Sequence, residues 1–154
     1  MNSYSLANTY TVTLVVGSSN GCFDSIQKVI NINVLPVANF TVGTPCEGQQ
    51  TQFFNQSTIS SGNILYWNWN FGDGGKDTIN PNPLHAYNSP ALFPVTLTVK
   101  SDSGCTSTII KQVNVNPKPQ ANFGMTNNPT LAQEIVYFSD FSTPTGDIIG
   151  WSWN

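Results

Sequence analysis

The side chains that could carry acid–base chemistry in this chain are few and scattered. His85 is the single histidine. The eight acidic residues are Asp24, Glu47, Asp73, Asp77, Asp102, Glu134, Asp140 and Asp147. Glycoside hydrolysis uses a pair of carboxyl groups, and nucleophilic catalysis needs a base beside its nucleophile. The sequence offers no obvious arrangement of either kind. We therefore expect no catalytic residue, and we expect His85 to fix a loop by hydrogen bonding to backbone groups.

Asp73 is the one weak candidate for a metal ligand. It lies in the glycine-rich turn Gly72–Gly75, and Ca²⁺ binds the carboxylate and carbonyl oxygens that such turns present. Only Asp77 adds a second charged ligand nearby, and calcium sites usually recruit more. We favour the alternative, in which Asp73 accepts hydrogen bonds from backbone N–H groups of its own turn. We expect neither a metal ion nor a cofactor.

The tryptophans raise the question of sugar stacking. They are Trp67, Trp69, Trp151 and Trp153. A carbohydrate platform needs exposed rings, whereas a row of large apolar residues on one face of a strand is typical of a packed core. One such row, at a spacing of two, is Leu65, Trp67, Trp69 and Phe71. We expect Trp69 in the core, and Tyr66 on the opposite face is the better candidate for an exposed ring.

Strands must position these side chains, because apolar residues alternate along the chain and do not recur at a helical period. The predicted strands are Val37–Val42, Thr51–Gln56, Asn63–Phe71, Asp77–Ile79, Leu92–Lys100 and Thr106–Asn116. Pro81 and Pro83 exclude a central strand where they lie, and Asp102–Gly104 is a hairpin turn. The pattern predicts an all-β, immunoglobulin-like β-sandwich of about seven strands.

Three stretches, in this order, resemble motifs of the PKD (polycystic-kidney-disease-type) domain. Trp69–Gly74 resembles W-D-F-G-D-G, with Asn70 in place of the first Asp. Pro83–Tyr87 resembles P-x-H-x-Y, and Val95–Val99 resembles V-T-L-T-V. The resemblance implies an immunoglobulin-like fold with no obligatory metal. It implies structural roles for Trp69, Phe71, Gly72, Asp73, Gly74, His85 and Tyr87.

The chain repeats itself at an interval of about 83 residues (105 − 22). Gly21–Cys22 recurs as Gly104–Cys105, and Ala38–Phe40 recurs as Ala121–Phe123. We therefore expect three parts. They are a C-terminal half repeat (1–36), a complete repeat (37–118) and an N-terminal half repeat (119–154). Short proline-containing joints would set successive repeats end to end as a semi-rigid rod.

The cysteines are Cys22, Cys46 and Cys105. No C-x-x-C pair is present, so the sequence does not indicate a zinc site. Cys46 and Cys105 fall within one repeat, and we predict that they form a disulfide, which would stabilise the domain by about 4 kcal/mol in the chain-entropy model. The alternative is a pair of free thiols. A disulfide would imply an oxidising, extracellular setting.

The composition limits the class of partner. Only 8% of the residues are charged, and the net charge is −3 with no basic stripe, so we expect no nucleic-acid partner. No apolar run is long enough to span a membrane, and no signal peptide is visible, so we expect any secretion signal to lie outside this sequence.

Two tripeptides resemble O-glycosylation acceptors of secreted proteins. They are Asp77–Ile79, with Thr78 as the acceptor, and Asp24–Ile26, with Ser25 as the acceptor. Thr78 is the better candidate because it lies beside a predicted turn. Such tripeptides also arise by chance in a chain rich in Ser, Thr and Asn.

The sequence therefore predicts a non-enzymatic, extracellular repeat module. Its resemblance to tandem PKD repeats implies a stalk or adhesive filament of a large cell-surface protein. The alternative is an accessory module of a secreted enzyme that degrades protein or polysaccharide. We expect the partners to be neighbouring repeats, other copies of the chain through head-to-tail pairing of 119–154 with 1–36, or a surface polysaccharide or protein.

Overall fold

The computed structural model describes residues 3–125, 135–143 and 148–154, and β-strands are the only regular elements in these ranges. Among the described residues no helix has the length and apolarity to cross a membrane. The strands are β1 (Asn8–Gly17), β2 (Phe23–Ile32), β3 (Phe40–Val42), β4 (Gln50–Asn55), β5 (Ile64–Asn70), β6 (Lys76–Asp77), β7 (Leu84–Ala86), β8 (Leu92–Ser101), β9 (Thr106–Asn114), β10 (Phe123–Met125) and β11 (Phe138–Asp140).

Seven of these strands form a two-layered sandwich, as the sequence predicts. One sheet has the order β3-β4-β7, and the other has the order β6-β5-β8-β9. Strands β8 and β9 form the long hairpin, with Leu97 opposite Ile109. Its predicted turn is present: the N–H of Gly104 donates to the carbonyl of Ser101 at 3.0 Å, and Gly104 has a φ of 86°. All paired strands are antiparallel, so the fold is an immunoglobulin-like sandwich.

The core lies between the two sheets and is dominated by aromatic rings. Three of them, Phe40, Phe53 and Trp69, are fully buried and are called the closed triad below. The Phe40 and Trp69 ring centroids lie 5.2 Å apart, and those of Phe53 and Trp69 lie 5.6 Å apart, both in edge-to-face contact. This is the geometry that aromatic quadrupoles favour. The remaining core residues are Ala38, Phe71, Tyr87, Val95, Leu97, Val99, Val113 and Val115.

Strand β5 departs from its predicted alternation at one residue. Ile64 pairs with Ser101 and Tyr66 pairs with Lys100, so Leu65 is the extra residue of a β-bulge. A bulge changes which face a side chain occupies. Ile64 packs against the core and Leu65 is exposed. The prediction that Leu65 shares the buried face was therefore wrong.

Strand β7 was not predicted from the sequence. It has only three residues and follows Pro83 closely, so its apolar pattern is too short to register. Its pairing with β4 places His85 opposite Thr51. The segment that contains His85 is thus a strand at the edge of the smaller sheet, and this strand directs the His85 side chain toward the glycine-rich turn.

The disulfide expected between Cys46 and Cys105 is not formed, and all three cysteines are free thiols. The register explains why. Cys46 bridges Asn116, just beyond the last residue of β9, whereas Cys105 immediately precedes the first residue of β9. A strand of this length separates its ends by roughly 30 Å, and a disulfide needs Cα atoms within about 7 Å of each other. The two thiols lie at opposite ends of the sandwich.

Two further hairpins lie outside the sandwich, and each matches a hairpin within it. In β1–β2, Leu14 lies opposite Ile26, which is the β8–β9 pairing displaced by 83 residues (97 − 14 and 109 − 26). In β10–β11, Met125 lies opposite Phe138, as Val42 lies opposite Phe53 in β3–β4. A hydrogen bond in the loops recurs as well. The Asn39 N–H donates to the Ser57 hydroxyl, and the Asn122 N–H donates to the Ser142 hydroxyl.

Candidate functional site

The glycine-rich turn after β5 is shaped by close backbone packing. Gly72 has a φ of 87°, in the left-handed region, and a Cβ on it would lie 2.9 Å from Pro94 Cδ. Both conditions require glycine there. The N–H of Phe71 donates to the carbonyl of Gly75 at 3.0 Å, which closes the turn. The sequence therefore fixes a rigid loop beneath the closed triad, and this loop presents Asp73.

Asp73 uses both of its carboxylate oxygens within the fold. Oδ1 accepts from the Gly75 N–H at 2.9 Å, and Oδ2 lies 2.8 Å from His85 Nε2. Partial burial raises the pKa of Asp73, but the hydrogen bonds from Gly75 and His85, together with the attraction of a charged His85, outweigh it. The pKa of Asp73 therefore lies below its ordinary value. These contacts match the turn-capping role that the sequence predicts for Asp73.

The His85 ring is held on several sides. It stacks on Phe71 with centroids 4.0 Å apart and planes within 3° of parallel, and Tyr87 meets it edge-on at 4.7 Å. A Cβ at Gly75 would lie 2.5 Å from the ring, so the turn backbone also lies close to it. His85 bonds a carboxylate rather than the backbone groups that we expected. A ring enclosed in this way positions the loop and has little room to meet a substrate.

Tyr87 continues this layer into the core. Its hydroxyl donates to the Phe71 carbonyl at 3.2 Å, and its ring stacks on Phe93 at 4.4 Å. Burial raises the pKa of the Tyr87 phenol, and the nearby Asp73 charge raises it further. The hydroxyl is therefore neutral and acts as a hydrogen-bond donor. Asp73, His85 and Tyr87 form one stack that fastens the turn to the sandwich.

The acidic residues of the turn region point to different partners. Asp77 accepts from the N–H groups of Ile79 and Asn80, both at 2.8 Å. Within the part of the chain that the structure describes, no three His, Cys, Asp or Glu side chains gather in a group that could hold a metal ion. Glu134 and Asp147 lie outside the described residues. The arrangement of Asp73 and Asp77 suits turn capping better than shared coordination of a cation.

The tryptophans divide into three environments. Trp69 is fully buried, and Trp67 is partly buried and packs against the core. Their indole N–H groups are the two buried side-chain donors that find no acceptor among the described residues. Trp151 and Trp153 are exposed. Trp67 therefore offers no free ring face comparable with an exposed platform.

The outer face of the larger sheet is mostly polar, and the exposed Lys100 lies on it opposite Tyr66. Tyr66 is 57% exposed there. Asn68 pairs with Thr98, and the Thr98 hydroxyl lies 2.8 Å from that of Thr108. Ile110 adds an exposed apolar side chain. We call Tyr66, Asn68, Thr98, Thr108 and Ile110 the neutral face. It combines one aromatic ring with amide and hydroxyl groups.

A second aromatic cluster lies in 119–154. Phe123, Phe138 and Trp153, called the open triad below, have centroids 5.4 to 5.9 Å apart. They line an open cavity of about 930 Å³ together with Ile149 and Trp151. All three rings are more than half exposed, and Trp153 is 54% exposed. The open triad therefore lines a concave surface that is largely apolar.

The two glycosylation candidates are accessible but differ in setting. Thr78 is exposed at the tip of the turn that Asp77 caps. Ser25 is exposed within β2, opposite Val15. Modification of either residue stays a prediction, and mass spectrometry of the protein isolated from its host would test it.

Comparison with known proteins identifies related sequences. Residues 33–115 match the sequence profile of the PKD domain family. The chain is 31% identical over 131 residues to the pre-pro-metalloprotease PrtV of Vibrio cholerae, a match that covers 83% of this chain and 14% of that protein. It is also 31% identical over 97 residues to the collagenase ColA of Bacillus cereus, covering 62% of this chain and 10% of the collagenase. The chain therefore spans only a small part of these relatives.

Among solved structures, the chain is similar to the PKD1 domain of Vibrio anguillarum Epp. The TM-score is 0.50 and the identity is 31%, and the match covers 55% of this chain and 96% of that domain. The matched fraction corresponds to a single sandwich, in agreement with the seven strands described above.

Proposed function

Because this chain belongs to the PKD domain family, we propose that its sandwich is a non-catalytic accessory module of a secreted enzyme that degrades a polymer. The observation that carries the proposal is that the matched relatives bear the names of proteases, and this segment makes up only 14% and 10% of them. The polar motif residues Asp73, His85 and Tyr87 are committed to one another. Catalysis would therefore belong to another part of such an enzyme.

The neutral face is the surface that we propose contacts the polymer. A sheet face with one exposed tyrosine and a row of amide and hydroxyl groups can stack on a ring and hydrogen-bond to an extended chain. The five residues that define this face carry no charge, which suits an uncharged protein strand or polysaccharide, and Lys100 beside Tyr66 adds one cation at its edge. The resulting contact would be weak and would raise the local concentration of substrate near a linked catalytic domain.

Retention on insoluble polymers tests this function. The chain is mixed with insoluble collagen and, separately, with insoluble cellulose and chitin, and the bound fraction is measured. Changing Tyr66→Ala should reduce retention on one of these supports several-fold. Phe54→Ala is the matched control, because Phe54 is also an exposed aromatic on a strand but belongs to the smaller sheet. Equal retention by both variants, or no retention by the unaltered chain, would contradict the proposed role.

A second candidate function is that of a spacer in a cell-surface stalk. The observation that favours it is the recurrence of hairpin register between β1–β2 and β8–β9, which supports the division into 1–36, 37–118 and 119–154. Short joints that contain proline would keep successive sandwiches aligned. The neighbouring sequence of the gene separates the two functions, because a catalytic domain favours the accessory module and further repeats favour the stalk. Both functions place the protein outside the cell.

A further inference from the structure

Strand β9 is an edge strand of the larger sheet, whose order is β6-β5-β8-β9. It has nine residues, whereas the other edge strands of the sandwich have three (β3), two (β6) and three (β7). Short edge strands are one of the ways in which proteins prevent a further strand from adding to a sheet. The sandwich therefore has one long edge, and it lies along β9.

The backbone groups of β9 alternate between its two sides. The Val115 N–H donates to the Ala91 carbonyl on the β8 side, and the Asn116 N–H donates to the Pro45 carbonyl on the opposite side, both at 2.9 Å. Successive residues of an antiparallel strand bond to opposite sides, and the pairing of β8 with β9 has no register shift. Every even-numbered residue of β9 consequently faces outward. Those that precede Asn116 are Thr108, Ile110, Gln112 and Asn114.

These four residues, called the edge slot below, border a gap beside the sheet. Among the residues that the structure describes, nothing forms a hydrogen bond with their backbone N–H and C=O groups. The Ala38 N–H binds the Ser107 hydroxyl at one end of the gap, and Cys46 bridges Asn116 at the other. Six residue steps (114 − 108) span roughly 20 Å. A bound strand would continue the line of the pairing that already exists at Asn116.

The single charged side chain of β9 does not obstruct the edge slot. An inward-pointing lysine can protect an edge, but Lys111 is committed to the other sheet. Its Nζ donates to the Phe40 carbonyl at 2.6 Å and lies 5.1 Å from the Phe40 ring centroid. The side chains of the slot itself are exposed and uncharged. The slot therefore suits an uncharged strand.

We propose that the edge slot binds an extended segment of polypeptide by β-strand addition. An extended polypeptide presents N–H and C=O groups toward a neighbour at every second residue, about 6.6 Å apart, which is the spacing of the slot. The hydroxyl groups of a polysaccharide do not reproduce this alternation of donor and acceptor. The inference rests on the proposed function, because Thr108 and Ile110 also belong to the neutral face, and it selects protein as the polymer.

The chemistry of the slot defines the segment that it takes. The gap accommodates about seven extended residues. Proline is excluded at positions that face the slot, because it has no N–H to donate. Main-chain hydrogen bonds supply the affinity in this mode of binding, so conformation matters more than sequence. We therefore expect the slot to bind unfolded segments of differing sequence and to leave folded proteins with paired strand edges unbound.

Hydrogen exchange measured by NMR tests the contact residue by residue in the full chain. The probe is a capped peptide of alternating threonine and valine, with the length that fits the gap. At about ten times the Kd of the peptide, the amides of Thr108, Ile110 and Gln112 should exchange about tenfold more slowly. Ile109 and Lys111, whose amides face β8, should not change. This alternation along β9 is not expected from a ligand that lies on the face of the sheet.

Matched controls isolate the backbone hydrogen bonds. The same peptide with every backbone nitrogen methylated keeps its side chains but has no backbone donor, so it should not protect the slot. Ile110→Pro removes an outward N–H and no bond to β8, whereas Ile110→Ala loses the same side chain and keeps the N–H. The proline variant should bind the peptide about fivefold more weakly than the alanine variant. If circular dichroism shows that Ile110→Pro does not fold, Gln112→Pro and Gln112→Ala repeat the comparison.

The results distinguish strand addition from the proposed function. Strand addition is overturned if the peptide protects no outward amide, if the methylated peptide protects them equally, or if Ile110→Pro binds as well as Ile110→Ala. It is also overturned if soluble fragments of chitin or cellulose protect the same amides. Reduced retention of Tyr66→Ala with unprotected amides would keep the neutral face as the polymer contact without strand addition. Protected amides with unchanged retention of Tyr66→Ala would support strand addition and contradict the role of the neutral face.

Discussion

The closed triad and the open triad are nearly the same cluster in two different surroundings. The distance from the first phenylalanine to the tryptophan is 5.2 Å in the closed triad and 5.4 Å in the open one. The distance from the second phenylalanine to the tryptophan is 5.6 Å and 5.8 Å. Yet the closed triad is fully buried, while each ring of the open triad is more than half exposed.

This contrast separates what arranges the rings from what buries them. A short hairpin and the tryptophan segment that follows it bring the three rings together in both places. Burial depends on a different element, the hairpin β8–β9, which lies over the closed triad. The energetic value of the cluster should therefore be realised only where that second element is present, since apolar area stabilises in proportion to its removal from water.

The largest expected difference between the two triads comes from removing the indole. Trp69→Ala should lower the free energy of unfolding of the sandwich by about 3–5 kcal/mol, because it opens a cavity in a closed core. Trp153→Ala should change it by less than about 0.5 kcal/mol, because its ring is already exposed. Urea denaturation of dilute protein, followed by circular dichroism, measures both. If Trp69→Ala leaves no folded baseline, Trp69→Phe gives a smaller, measurable loss.

Equal losses for the two tryptophan variants would break the comparison. They would mean that the open triad contributes to the same cooperative unit as the sandwich. No loss for either variant would mean that the aromatic cluster does not set the stability of the fold.

A smaller difference is expected for the lysine that covers the first ring. Lys111→Met keeps the aliphatic packing but removes the 2.6 Å bond to the Phe40 carbonyl, which should cost about 2 kcal/mol. Lys28, its equivalent at the offset of 83 (111 − 28), lies in the N-terminal hairpin outside the sandwich, so Lys28→Met should leave the stability of the sandwich unchanged. The same urea titration measures both variants. Loss of stability in Lys28→Met would contradict the placement of the hairpin β1–β2 outside the sandwich.

The smallest expected effect concerns the stack of Asp73, His85 and Tyr87 beneath the closed triad. The pKa of Asp73 is lowered in the folded state, so its carboxylate stabilises the fold above the unfolded value of 3.8, and this contribution is lost as the pH falls through the folded pKa. Asp73→Asn should therefore be less stable near neutral pH and should lose less stability on acidification. Thermal melts from pH 7 to pH 2.5 measure both slopes.

Asp24→Asn is the control for the acid prediction, because Asp24 lies in the N-terminal hairpin outside the sandwich. It should follow the unaltered chain at every pH. If Asp73→Asn shows the same acid slope as the unaltered chain, the Asp73–His85 contact contributes no pH-dependent stability. Asp77, whose pKa is also lowered, accounts for some of the acid sensitivity that remains.

The all-β sandwich and the burial of Trp69 could be predicted from the sequence because both follow from alternation at a spacing of two. The exposure of Leu65 could not be predicted, because a bulge depends on how β5 pairs with β8 and has no local sequence signature. Strand β7 could not be predicted either, because three residues beside prolines are too few to show the alternation of a strand. The sequence does place Asp73 and His85 in two motifs of one family, but their direct contact required the fold.

The predicted disulfide between Cys46 and Cys105 was wrong for a related reason. Membership of one repeat says nothing about distance, and the sequence separation of Cys46 and Cys105 is compatible with any arrangement of the strands between them. Only the register of β9, with Cys46 beside its far end, separates the thiols. The open triad, in contrast, could be anticipated from the recurrence of its residues, although its cavity and its ring geometry could not.

The placement of those thiols has a mechanical consequence. No disulfide links the strands of the sandwich. Tension applied through the joints would therefore unfold and extend all of residues 37–118. An unfolded segment of that length extends by roughly 250 Å beyond its folded span. The sandwich would thus lengthen under load and would be able to lengthen again after refolding once the load is removed.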